Sequence, residues 1–488
     1  MFDYRVSDHR PRLVDRRGFL STIGGGFAGM ALSTLLADEG GARAGDQADV
    51  RSRDAFPNFP PKAKHVIQIF VSGGMSQIDT FDHKPELARL AGKEFEPGGK
   101  VELFESIPGK MQPANWPFRQ HGECGRWISG LFPHLAACVD DMCFIHSMVS
   151  KSNVHGPALF MMNSGFILPG FPSMGSWVTY GLGSENRNLP AFVVLPDPRG
   201  FPMNGPINWG TGFLPATYQG TALATRPGAA PIHNLFPPAE RRLSTDSERD
   251  TFDFLKSLNA DHARQRPGDS ELEARINSYE LAARLQLSAP EAVDLSRESV
   301  AIQRLYGLDD PMTAPTGRQC LMARRLIERG VRFVQVWSGA LNAGFPRQNW
   351  DGHEDMVNNH GREAKRFDQP VAALLQDLKA QGLLDETLVI CTSEFGRMCC
   401  TQGGKGRDHN PFAFTSWLAG GGIKGGMAYG RSDEFAYRTI ENPVYCYDMH
   451  ATALHLLGID HTKLTWFHNG INRRLTDVHG HVIHDILA

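Results

Sequence analysis

A chain of 488 residues with 41% hydrophobic content can bury a substantial core, which excludes general disorder. Its 50 basic and 53 acidic residues leave a formal charge of −3, so there is no electrostatic footprint for nucleic acid or an anionic membrane surface. An anionic substrate must then be held by local charge or by metal, and 19 histidines, several beside Asp, Asn or Gly, favour metal.

The first 44 residues read as an address. Arg16 and Arg17 precede a Gly/Ala-rich apolar run from Phe19 to Ala37, followed by Ala42, Arg43 and Ala44 in a small-residue cleavage pattern. That order is the order of a twin-arginine signal peptide over 1–44, which predicts export to the periplasm or beyond. Glycines and threonines weaken the run as a membrane anchor, and no basic stop-transfer cluster follows it; retention as an uncleaved anchor is the alternative. A polar, Pro-rich linker over 45–62 leads into one large domain over 63–488. Eight cysteines show no C-x-x-C spacing, and Cys138, Cys143 and Cys391 sit in apolar stretches, so buried free thiols are expected.

Apolar runs predict strands at His65 to Val71, Met142 to Ile145, Ala191 to Leu195, Val331 to Trp337, Thr387 to Thr392 and Phe412 to Leu418. Apolar positions three or four apart predict helices at Leu321 to Glu328, Val371 to Leu378 and Met449 to Leu457, the last capped by Asp448, with His450 and His455 facing solvent or core. Strand alternating with helix implies a mainly parallel sheet with helices on both faces. A charged helical insertion is expected from Arg249 to about Glu298, with Leu272, Ile276, Tyr279, Leu281 and Leu285 near helical spacing. A Gly/Pro/Asn-rich loop is expected from Phe201 to Pro238, the kind of long loop that walls a pocket.

Four clusters can carry chemistry. Asp79 and Asp82 follow the first strand, where a carboxylate either ligates a cation or caps a turn. Ser152 and His155 sit at the start of a helix-like run ending in Ser164 and Gly165, where the helix dipole favours an anionic nucleophile; His155 there can bind metal, attack or cap. Asp351 and His353, two apart in a short loop, can point to one side and share a cation. Glu394 stands at the tip of a later strand and His409 returns after glycine-rich turns, while Arg397 and Arg407 offer planar donors for a tetrahedral anion.

The stretches Ser72 to Pro85, Ser393 to Arg397, Gly406 to Asn410 and Arg474 to Gly480 resemble the secreted family of domains of unknown function numbered 1501, from about residue 63 to the C-terminus. That family looks like a branch of the alkaline phosphatase and sulfatase superfamily. The resemblance implies an alkaline phosphatase-like α/β three-layer sandwich with a mainly parallel central sheet and a helical insertion, and attack on a phosphate or sulfate ester beside divalent metal. Matched position by position, Gly73 stands where the superfamily has a metal-binding Asp, leaving Asp79 to substitute. His155 stands at the nucleophile position, and Glu394 keeps an acid beside Phe395 in place of an imidazole. Asp351 and His353 look like the other metal half-site, with His409 completing it.

The resulting expectation is an exported metal-dependent ester hydrolase. Its metal ligands are Asp79, Asp351, His353, Glu394 and His409, and its catalytic residues are His155, Ser152, Arg397 and Arg407. Without a hydroxyl at position 155, attack falls to Ser152 or to an activated water. Zinc suits the imidazoles best, with calcium, magnesium or manganese suiting a carboxylate-rich half. The expected partner is a small-molecule or polysaccharide ester, with no nucleic acid and no stable membrane insertion once the signal is removed. The rival from another class is a non-catalytic relative that binds metal or sulfated glycan in the same cleft.

Overall fold

The computed structural model describes residues 56–96, 107–186, 188–226, 245–266, 291–341 and 346–488, with isolated positions between them such as Phe104. The expected signal peptide lies outside the described residues, as do Tyr279, Leu281 and Leu285. The chain divides into two units, one of 47–229 with 287–488 and one of 1–46 with 230–286. In the smaller unit the expected helical insertion is seen as a helix over Thr245–Arg264.

The larger unit is built on a nine-stranded sheet. In chain order its strands are β1 (His65–Val71), β2 (Met142–Val149), β3 (Phe192–Leu195), β4 (Thr221–Ala222), β5 (Phe333–Ser338), β6 (Thr387–Thr392), β7 (Phe414–Ala419), β8 (Met427–Tyr429) and β9 (Val444–Tyr445). The spatial order is β8-β2-β7-β6-β1-β5-β3-β4, with β9 also on β2. Only β7 runs against the others, antiparallel to both β6 and β2. β1 sits at the centre between β5 and β6, parallel to each. All seven of its residues are buried, which is why it reads as a continuous apolar run rather than an alternating one.

Helices cover both faces. Val66, Phe70, Phe333, Trp337, Leu388 and Ile390 point to one side, where they share a core with α1 (His155–Ser164), α2 (Met174–Leu182) and α5 (Cys446–Leu456). On the other side α3 (Ala314–Glu328) packs on β5 and on α4 (Met356–Ala380). One polar link crosses the first core. Gln335 Nε2 donates to Gln68 Oε1 at 2.9 Å and to Asn163 Oδ1 at 2.7 Å, tying the end of α1 to the central strands. A buried amide left without partners costs about 1–3 kcal/mol, so this link fixes where α1 lies on the sheet.

Two expectations change in detail. Asp448 is not the cap of α5 but lies in its first turn, accepting the Tyr445 N–H at 2.8 Å and the His481 N–H at 2.8 Å. Helix α4 begins at Met356, well ahead of the predicted start at Val371, and Asp355 caps it by accepting the Asn358 N–H at 2.9 Å. All eight cysteines are free, seven of them buried.

Because β1, β5 and β6 are parallel, their C-terminal ends lie on one edge of the sheet, where open α/β sheets gather ligand-binding side chains. β1 delivers Ser72 and Gly73 there, and β6 delivers Ser393 and Glu394. The loop after β5 passes so close that a Cβ on Gly73 would stand 2.6 Å from the Asp351 nitrogen and 2.7 Å from that of Trp350. Gly73 also has φ +110°, a conformation side-chain-bearing residues rarely adopt. No side chain fits at that position in this backbone, which accounts for the departure at Gly73.

Candidate metal centre

Four side chains from three stretches of chain converge at this edge. His155 is the first residue of α1, Asp351 and His353 lie in the loop between β5 and α4, and His409 lies on a short strand, His409–Asn410, paired antiparallel with Gly396–Arg397. One donor atom from each lies within 4.8 Å of every other. Gly406 brings two of these stretches together, since a Cβ there would stand 1.6 Å from the His353 carbonyl oxygen.

The three imidazoles share one arrangement. His155 Nδ1 faces Glu394 Oε1 at 2.7 Å, His409 Nδ1 faces the Asn153 carbonyl at 2.7 Å, and His353 Nδ1 faces Gln402 Oε1. Each of these oxygens accepts, so each Nδ1 carries the proton; for His353 this follows from the assigned orientation of the Gln402 amide. Each Nε2 is then turned toward Asp351 Oδ1, at 3.4 Å from His155, 2.9 Å from His353 and 3.5 Å from His409. His353 Nε2 and His409 Nε2 stand 2.8 Å apart, two bare lone pairs in hydrogen-bond range with no proton to share. His155 Nε2 is buried without a hydrogen-bond partner. This donor set fits a cation: converging lone pairs that repel one another are stabilised by a positive centre between them, and Nδ1 bonds to oxygen are the usual means of aiming Nε2 at a metal.

Burial opposes ionisation of Asp351, but the Arg397 guanidinium, with the imidazoles around the carboxyl, outweighs it and holds the group well below the usual range. Burial disfavours a cationic His155, yet its contacts with Asp351 and Glu394 raise its pKa to about 9, so without a cation its Nε2 holds a proton toward Asp351 that a bound metal would displace. Burial lowers that of His409 to about 3, with Arg397 and His155 adding to the effect, so His409 stays neutral and available as a ligand.

Glu394 stands one bond behind the cluster. It is buried and accepts from the Gly73 N–H at 2.8 Å, from Ser393 Oγ at 3.1 Å and from His155. Arg397 is fully buried: Nε donates to the Gly74 carbonyl at 2.8 Å, Nη1 to the Arg407 carbonyl at 3.0 Å, and Nη2 to Asp351 Oδ1 at 2.6 Å. Asp79 and Arg407 pair with each other at 2.9 Å, both buried. Asp79 also accepts from Ser76 Oγ at 2.6 Å and from the Asn115 backbone and side chain at 2.8 and 2.9 Å. The Ser152 hydroxyl donates to the Val154 carbonyl at 3.3 Å. Thus Asp351, His353, His409 and His155 come together, Glu394 and Arg397 stand behind them on His155 and Asp351, and Asp79, Arg407 and Ser152 face other partners.

Gln402 and Arg347 carry no signal in the sequence, because a lone Gln in a glycine-rich turn and a lone Arg in a loop resemble ordinary surface. Arg347 donates Nη1 to Asp351 Oδ2 and Nη2 to Glu354 Oε1 at 2.8 Å. It lines a cavity of about 250 Å³ together with the four converging side chains and Glu394. Phe104 stacks on His409 across the same cavity, ring centroids 4.7 Å apart.

A family-wide sequence profile described as "Protein of unknown function (DUF1501)" matches residues 63–487. The chain belongs to that family. No curated protein matches it. Among solved structures, it is similar to the lipoteichoic acid synthase LtaP of Listeria monocytogenes, at 11% identity over 82% of this chain and 73% of that one, with TM-score 0.35. It is similar to the sulfatase PsFucS1 of Pseudoalteromonas sp., at 14% identity over 86% and 75%, TM-score 0.35. A phosphonate monoester hydrolase of Silicibacter pomeroyi aligns at 13% identity over 67% and 68%, TM-score 0.32. For this DUF1501 chain, then, any chemistry must be argued from its own side chains.

Proposed function

We propose that this chain is an exported, divalent-metal-dependent hydrolase of phosphate or sulfate esters. The observation that carries the reading is the common orientation of His155, His353 and His409, each with Nδ1 on an oxygen acceptor and Nε2 on Asp351. In this reading those three imidazoles and Asp351 hold the cation, and three nitrogens with one carboxylate suit zinc best, ahead of manganese, magnesium or calcium. A divalent cation bound there supplies Lewis acidity toward an ester oxyanion.

The chain's own residues do the rest. Glu394, itself held by the Gly73 N–H and Ser393, keeps the proton on His155 Nδ1 and so fixes which nitrogen faces the site. Gln402 and the Asn153 carbonyl do the same for His353 and His409. Arg397 keeps Asp351 ionised rather than meeting substrate, because its donors are spent on Asp351 and backbone carbonyls. The Asp79–Arg407 pair supports the loops behind it. Arg347, on the cavity wall, already donates to Asp351 and Glu354, so in this reading it adds positive charge beside an anionic group rather than a dedicated donor. Ser152 has its hydroxyl on Val154, so the reading assigns attack to water rather than to a side chain.

One observation favours the rival, a non-catalytic relative that binds metal or sulfated glycan: four protein donors fill a tetrahedral zinc shell, and closed shells are usually structural. Element analysis of protein purified without added metal, with assays on aryl phosphate and aryl sulfate, separates the two. Stoichiometric metal with turnover lost in His353→Ala supports the hydrolase; stoichiometric metal without turnover supports the binder; no metal removes the hydrolase and leaves only a binder of sulfated glycan. Export is tested separately. No helix among the described residues is long and apolar enough to cross a membrane. Replacing Arg16 and Arg17 by Lys is expected to leave the precursor in the cytoplasm, and unchanged export would exclude the twin-arginine route.

A further inference from the structure

The cavity combines charged and apolar side chains in its lining. Among the described residues that line it, Arg347 is the only Lys or Arg, and it already neutralises Asp351 and Glu354. The apolar part of the lining comes from separate parts of the fold: Val154 and Leu159 at the start of α1, Met203 in the loop after β3, and Leu341 after β5. Leu341 is 56% exposed and Val154 39% exposed, so both present apolar surface to whatever enters. The wall is also held in place. Asn204 donates Nδ2 to the Gly156 carbonyl at 2.9 Å, fastening the loop that carries Met203 to α1, and the Leu341 N–H donates to the Phe201 carbonyl at 2.8 Å.

A site that took a multiply charged polymer would need several cations to repay desolvation of each anionic group. One arginine with an apolar wall satisfies a different ligand. Resting on the hydrolase reading above, we infer that the substrate is a monoanionic or single-ester molecule whose anionic group meets the imidazole cluster and Arg347, and whose body is an aryl or alkyl group lying against Val154, Leu159, Met203 and Leu341. Polyanionic glycans and purely hydrophilic phosphates are then poor ligands.

The test is calorimetric binding of phenylphosphonate and methylphosphonate to the zinc-loaded full chain, which share a head group and differ in apolar body. Burying a ring against such a wall is expected to tighten binding by about tenfold or more. In Leu341→Asn and Val154→Asn, at exposed positions where folding tolerates a polar side chain, the phenyl-to-methyl ratio is expected to fall toward one, with bound zinc as the check on integrity. Two phosphonates of equal affinity in the unaltered protein overturn the inference while leaving the hydrolase reading standing. So does a ratio that both variants preserve. Failure of both phosphonates to bind the zinc-loaded chain overturns the hydrolase reading and this inference together.

Discussion

Replacing Asp351 by Asn keeps the shape of the side chain and removes one charge, which separates the two jobs assigned to it. Asp351 is buried and is the one carboxylate paired with Arg397, which is itself fully buried. Arg397 would keep its bonds to the Gly74 and Arg407 carbonyls but lose the charge that balances it. Removing one partner of a buried ion pair typically costs about 3–5 kcal/mol, and Arg347, itself a cation, cannot replace the lost charge. Chelator-treated Asp351→Asn is therefore expected to unfold about 3–5 kcal/mol more easily in denaturant than the unaltered chain. His353→Ala should cost the metal-free protein far less, because it removes a lone pair that faces that of His409 at 2.8 Å. Zinc at about a hundred times its dissociation constant should stabilise the unaltered protein by about 2.7 kcal/mol and neither variant measurably. Metal-free Asp351→Asn with a loss below about 1 kcal/mol would refute the balance of charge with Arg397. Stoichiometric zinc in either variant would refute the four-residue site.

Other consequences are independent of that one. Gln402→Ala frees the orientation of His353 and is expected to weaken zinc by about ten- to a hundredfold in competition with a chromophoric chelator, with Gln402→Glu restoring it; equal affinity in both would deny Gln402 that task. Arg407→Met leaves Asp79 buried without its cation and should cost about 3–5 kcal/mol, much of it recovered in the double variant with Asp79→Asn, as read by chemical unfolding. His450 has its pKa lowered by burial to about 4 and its Nδ1 has no partner, so it is neutral in the folded state and protonates in the unfolded one. Its contribution is complete above its unfolded pKa of about 6.5 and is lost as pH falls toward about 4, about 3 kcal/mol in all, so His450→Gln should flatten the acid limb of stability against pH.

Much of the frame was legible in order of residues alone. The central strands are buried on both faces, so hydrophobicity is continuous along His65–Val71 and Thr387–Thr392 and their limits could be read directly. Strand β2 extends past its apolar run because His146 and Ser147 interrupt the hydrophobic pattern without ending the strand, and α4 extends ahead of Val371 for the same kind of reason. Its buried positions ahead of Val371 include His360, Glu363 and Asp368, which answer to Ser76, Arg199 and the backbone of His134 and Leu135, partners more than two hundred residues away or, for Arg199, more than a hundred and sixty.

What local sequence determined here is the sheet, its mainly parallel sense and the stretches that end at its functional edge, because periodicity and turn chemistry are short-range properties of the chain. Tertiary structure alone decided which polar residues meet. Asp79 and Asp351 look alike in sequence, each an acid in a turn near a strand end, yet the first closes on Arg407 and the second on three imidazoles. Charges and lone pairs act through space, and the distances that select their partners are set by the packing of strands and loops that sequence order does not place side by side.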